Sequence, residues 1–222
     1  MLINLRNALM AGKRWKNPYI TDGLVAMWDG EWNAGGGVHD ANATTWKDLV
    51  GNRDLVLTQL GSFEANCLLN RTGGVGASLD DRLSGYGTLE VVFSASGHYK
   101  YATVCYVCLG GGFYFGQRNN IVNGNYRTET AVYGRIADIN VSTSGIASWS
   151  MTRTGGVGEI RKNGVQQALT EISVQGAQAT PISLNATSYD NRFFNIRAYS
   201  RALTAAEIAR NYAIDKERFD LT

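Results

Sequence analysis

The stretch Phe193–Ile214, FFNIRAYSRALTAAEIARNYAI, decides how the rest of the chain is read. Its first part alternates in the manner of a strand. Phe194, Ile196 and Ala198 fall on one face, and Asn195, Arg197 and Tyr199 on the other. The chain then turns through Ser200–Leu203 into a helix with explicit start signals. Thr204 is an N-cap residue, and Glu207, three residues on, completes a capping box. Leu203 and Ile208 stand at the two positions of a hydrophobic staple, which fixes the angle between strand and helix. Ile208, Tyr212 and Phe219 fall roughly on one side of that helix, where Ala205 and Ala209 permit close packing.

Before this ending the chain reads as short strands separated by turns. Leu24–Trp28 is a first strand, and Leu55–Leu60 and Phe63–Leu69 form a pair about Gly61-Ser62. Leu89–Phe93 and Ala102–Leu109 are apolar enough to be central. Asn163-Gly164 is a two-residue hairpin signal, because a type I′ turn needs positive φ at both positions. Some twelve strands with one terminal helix predict an all-β chain of two stacked antiparallel sheets. The hexapeptide RTGGVG occurs at 71–76 and again at 153–158, with no longer period around it. It reads as two glycine turns, not an internal repeat.

"IRAYSRALTAAEIARNYAI" resembles the closing strand and helix of bacterial and phage LamG-like, or concanavalin A-like, jelly-roll domains. "GLVAMWDG" at 23–30, "TTWKDLVGN" at 44–52, "GTLEVVF" at 87–93 and "SMTRTGGVGEIRKNGV" at 150–165 follow in that family's order. The resemblance implies a concanavalin A-like jelly-roll sandwich with one short C-terminal helix, and a tendency to bind glycans or partner proteins. It implies no single activity. It covers Gly23 to about Asp215, implying a domain at residues 22–222 that leaves residues 1–21 as an N-terminal arm. That arm is expected either to pack on its own domain or to tether the chain to a homo-oligomer or a virion.

At 222 residues the chain suits one large β domain, and 44% hydrophobic content is ample for its core. The formal charge of +2, with Lys and Arg scattered, gives no footprint for nucleic acid. Cys67, Cys105 and Cys108 are too few for a disulfide framework and read as buried thiols. No run approaches the ~18 apolar residues of a membrane span. The first ten residues, MLINLRNALM, lack the form of a secretory signal. Cytoplasmic synthesis is therefore expected, with any release by lysis or inside an assembled particle, as for a phage or prophage structural protein.

Some enzymes on the jelly-roll fold hydrolyse glycans with paired carboxylates on one strand face. Here only Asp29 and Glu31 have such spacing, and no third acid follows them. No serine stands in a nucleophile elbow, and no glycine cluster ends as a phosphate loop. A non-catalytic module is expected, with no required cofactor.

Calcium is the one metal considered. An ion between loops would take oxygens from Asp29, Asp40 or Asp48, and the alternative is that these acids cap turns through backbone amides. For ligand contact the candidates are Trp32, Tyr99, Tyr101, Tyr114, Arg118 and Asn119. A sugar stacks its C–H face on an aromatic ring while neighbouring polar groups bond its hydroxyls. Trp32 leads because it sits in the long Gly-rich loop Asp29–Thr45 and is expected to be exposed there. The competing readings are an assembly module with no small ligand and, more remotely, a glycoside hydrolase.

Overall fold

The computed structural model describes residues 16–71, 73–79, 87–95, 103–109, 113–118, 121–126, 132–135, 146–154, 157–167, 171–174, 182–186 and 190–222. Among them are seventeen strands and one helix. The strands are β1 (Leu24–Asp29), β2 (Thr45–Trp46), β3 (Leu55–Leu57), β4 (Gly61–Glu64), β5 (Cys67–Asn70), β6 (Gly74–Leu79), β7 (Thr88–Ala95), β8 (Thr103–Leu109) and β9 (Phe113–Arg118). They continue with β10 (Ile121–Tyr126), β11 (Val132–Arg135), β12 (Ala147–Thr154), β13 (Val157–Lys162), β14 (Val165–Gln166), β15 (Glu171–Val174), β16 (Ile182–Ala186) and β17 (Asn191–Tyr199). The helix, α1, is Ala205–Phe219.

An eight-stranded sheet runs β14-β13-β12-β7-β17-β5-β4, with β1 also paired to β17, and a seven-stranded sheet runs β10-β9-β8-β16-β6-β3-β2. All pairings are antiparallel. β11 and β15 form a small separate ladder. The fold is thus an all-β, jelly-roll-like sandwich closed by one short C-terminal helix. β17 is its hub. One edge pairs with β7 along most of its length, and the other is shared between β5 at its start and β1 beyond.

The main core lies between the sheets. Trp28, Leu68, Leu89, Val91, Phe93, Trp149, Met151, Phe193, Ile196 and Ala198 from the larger sheet meet Trp46, Leu55, Ala77 and Leu184 from the smaller one. Trp46 and Phe63 make an edge-to-face contact across this layer, with centroids 6.0 Å apart.

A second layer forms on the outer face of the larger sheet. Helix α1 lies there, burying Ile208 with Met27, Tyr199 and Leu203, and Phe219 with Val92 and Phe194. The helix starts where the sequence places it. The Thr204 hydroxyl accepts from the Glu207 amide while the Glu207 carboxylate accepts from the Thr204 amide. Leu203 and Ile208 are buried in one cluster, as the staple requires.

Two local expectations change. Phe194 does not share a face with Ile196 and Ala198. A bulge between Phe193 and Asn195 sends Phe193 into the main core and turns Phe194 toward Phe219. The hairpin near residue 62 turns instead at Ala65-Asn66, between Glu64 and Cys67. Gly61 serves close approach, since a Cβ there would overlap the Gly76 carbonyl. Within the N-terminal segment Tyr19 is 2% exposed and sits beneath the helix. Asn163 and Gly164 have φ of 49° and 77°, the type I′ geometry of their hairpin.

Candidate functional site

Strand β1 ends at Asp29, and the chain does not re-enter a sheet until Thr45. The first part of this loop is anchored and the second is displayed. Gly30 packs so tightly on the β4–β5 hairpin that a Cβ would overlap the Cys67 backbone. Asn33 is fully buried, and its amide holds residue 40 from both sides. Its Nδ2 donates to the Asp40 carbonyl at 2.7 Å, and its Oδ1 accepts from the Asp40 amide at 2.9 Å. Ala34 and Val38 close a small hairpin between these anchors through an amide-to-carbonyl bond of 3.2 Å. Beyond it Gly36 to Asn42 are all exposed. Val38 shows 53% of its surface at the tip, beside His39, whose Nδ1 lies 3.1 Å from the Gly30 carbonyl.

Beneath the loop lies a charged node. Arg218, near the end of α1, forms a two-pronged pair with Asp29 at 2.7 and 3.1 Å and reaches Glu31 at 3.0 Å. Its guanidinium carbon stands 4.2 Å from the centroid of the Trp32 ring. Asn195 Nδ2 donates to Asp29 Oδ2 at 2.6 Å, the oxygen that also accepts from Arg218 Nη1. Arg197, wholly buried on β17, pairs with Asp215 at 2.7 and 2.8 Å and with Glu90 at 2.8 Å. Tyr19 stands between the two arginines. Its ring lies 3.9 Å from the Arg197 guanidinium, and its hydroxyl donates to Asp215 and accepts from Arg218. Asn211 donates to Glu90 and Tyr199 and accepts from the Ile20 amide.

The electrostatics follow from burial set against pairing. For Arg197 burial is the largest influence and opposes its charge, yet Asp215, Glu90 and Tyr19 together hold its pKa well above the usual guanidinium range. Arg218 behaves the same way, through Asp29 and Tyr19. Burial raises Glu90, against the pull of Arg197. Burial also pushes the Tyr19 hydroxyl far up, so it remains a neutral donor. Removing one partner from such a node leaves a buried charge uncompensated, which costs about 3–5 kcal/mol.

These contacts reassign several residues. Trp32 is 6% exposed, so the expectation of a displayed indole is corrected: Arg218, Tyr19, Met27 and Leu203 enclose that region. The three acids considered for calcium are engaged elsewhere. Asp29 is matched by Arg218, and Asp48 accepts from the Met27, Val50 and Arg53 amides. Asp40 accepts from the amide of Asn42. Among the described residues no group of three His, Cys, Asp or Glu side chains converges. Tyr114 and Arg118 lie four residues apart on β9, next to the edge strand β10. Tyr99, Tyr101 and Asn119 lie outside the described residues.

Sequence reasoning missed the node itself. Its trace was Asn211 and Asp215, polar residues at three and seven positions after Ile208, on the helix face that should be apolar. Among the described residues no helix is long and apolar enough to cross a membrane.

No protein-family model matches the chain. No curated protein sequence matches it either. Among solved structures it is similar in fold to Trypanosoma rangeli sialidase, at 17% identity and a TM-score of 0.62, over 96% of this chain and 37% of that one. It is similar also to the receptor-binding domain of botulinum neurotoxin D, at 14% identity and a TM-score of 0.59, over 87% of this chain and 53% of that one. The chain thus spans little more than a third of the sialidase and about half of the toxin domain, and the likeness is one of fold.

Proposed function

We propose that this chain is a non-catalytic recognition module that binds a glycan or another cell-surface ligand through the loop 36–42. The observation that carries this reading is the contrast within one loop. Gly30, Trp32 and Asn33 are buried and this stretch is fastened to the helix and the β4–β5 hairpin, while Gly36–Asn42 stand in solvent on that base. Rigid anchoring lowers the ordering cost of binding. The displayed groups are a small apolar surface at Val38 with hydrogen-bonding side chains at His39, Asp40 and Asn42. That mixture suits a sugar, which presents C–H faces and hydroxyls together. Tyr99, Tyr101, Tyr114, Arg118 and Asn119 remain proposed contacts for the same ligand.

The absence of catalysis is also part of the proposal. It is supported by the engagement of Asp29 and Glu31, the one pair with glycosidase-like spacing, by the same arginine. For the binding part of the proposal, two solved neighbours lend weight. One is named a receptor-binding domain, and another is a sialidase in complex with sialic acid. The sequence resemblance to LamG-like domains adds a setting, an appendage of a phage or prophage particle.

The test is an array of glycans that includes sialylated ones, probed with the purified chain and with an Asn42→Ala, Val38→Ser double variant. Binding by the parent and its loss in the variant support the reading. A blank array from a folded chain that forms a stable oligomer by light scattering supports an assembly module in its place.

A further inference from the structure

Tyr19 belongs to the N-terminal segment, Arg218 to the end of the helix and Asp29 to the root of the loop, yet the three form one hydrogen-bonded unit. Arg218 Nη1 donates both to the Tyr19 hydroxyl at 2.9 Å and to Asp29 Oδ2 at 2.7 Å. From Asp29 the same guanidinium passes to Glu31 and over Trp32, the residues that begin the loop. The N-terminal segment is held in turn by the helix. Asp215 accepts the Tyr19 hydroxyl, and Asn211 accepts the Ile20 amide. The segment reaches β1 through Gly23, whose φ of +75° suits glycine.

We propose that Tyr19 and Arg218 are positioning residues through which docking of the segment 16–20 sets the geometry of the loop 31–42. The inference rests on the reading of that loop as the binding surface. Without Tyr19 the Arg218 guanidinium loses an acceptor and an aromatic neighbour, and its hold on Asp29, Glu31 and Trp32 loosens. Loop order and segment docking are then linked, and linkage is reciprocal: whatever stabilises one stabilises the other. A ligand on the loop tightens the N-terminal segment, and a partner that pulls the segment away loosens the loop.

Amide hydrogen exchange reads this without any ligand. The reporters are the Ala34, Val38 and Asp40 amides, which close the loop onto Val38, Gly35 and Asn33. The Val91 and Met151 amides in the central strands are the controls. In Tyr19→Ala the loop amides should accelerate at least about tenfold more than the controls, whose own change reads the loss of global stability. Arg218→Lys keeps the charge but not the two-pronged, stacked geometry, and should give the same pattern. Unchanged loop protection, or acceleration shared equally by loop and controls, overturns the proposal. Should Tyr19→Ala fail to fold, Tyr19→Phe removes only the hydroxyl. It must then still accelerate the loop amides selectively, and a parent-like pattern counts against the proposal. A blank glycan array leaves this result standing, so failure of the binding reading is distinguishable from failure of the linkage.

Discussion

Arg218 covers Trp32: the guanidinium carbon lies 4.2 Å from the indole centroid while two nitrogens of the same group grip Asp29. The helix that ends the domain therefore clamps the loop that follows its first strand. The indole's place in a buried cluster makes it part of the fold.

Trp32→Ala should accordingly behave as a core truncation. A loss of about 3–5 kcal/mol is expected, from the lost burial and the cavity left behind. Urea unfolding followed by circular dichroism measures it. A variant as stable as the parent would place the indole outside the cluster.

The helix start gives a second prediction. Thr204→Ala should cost about 1 kcal/mol through the lost cap. Hydrogen bonds from Arg201, and then from the Thr204 amide, hold Glu207 down to about 2 from its ordinary 4.5. A carboxylate depressed on folding contributes stability that is fully present above its unfolded value and is lost as pH falls through the folded one. The difference in melting temperature between parent and Glu207→Gln should thus be complete above about pH 4.5 and vanish near pH 2. A difference that grew on acidification would contradict the pairing with Arg201.

That helix start was legible because a cap is local: Thr204, Glu207, Leu203 and Ile208 lie within six residues and need nothing else to declare themselves. Strand β17 was legible for the same reason, except at Phe194, where a bulge breaks the alternation. What a sequence pattern does not carry is a partner from far along the chain. Trp32 in a Gly-rich polar loop reads as exposed until Arg218 is brought over it. The sequence allows Tyr19 an arm that packs or tethers, and names none of the partners, Asp215 and Arg197, that enclose it. Asp29 and Asp48 have the chemistry of calcium ligands, and only the fold reveals that a guanidinium and three backbone amides already use them.

Truncation separates the two parts of the arm. Removing residues 1–15 tests their role in assembly through the mass in light scattering. Removing residues 1–21 takes Tyr19 from between Arg197 and Arg218 and should destabilise the domain strongly. Equal stability of the two truncations would contradict the packed position of Tyr19.

Chelation is the simplest check on the acids. With Asp29 paired to Arg218 and Asp48 bonded to backbone amides, excess chelator should leave the melting temperature unchanged, because an ion bound only to the native state would otherwise add its binding energy. A drop on chelation, restored by calcium, would place an ion on the fold.

The central claim is that the exposed part of the loop, carried on its buried base, recognises a ligand. Isothermal titration of the strongest array ligand into the parent and into Asn42→Ala, Val38→Ser tests it most directly, with both proteins melting at the same temperature. The variant is expected to bind at least tenfold more weakly, about 1.4 kcal/mol, at unchanged stability. Equal affinity in the two proteins would contradict it.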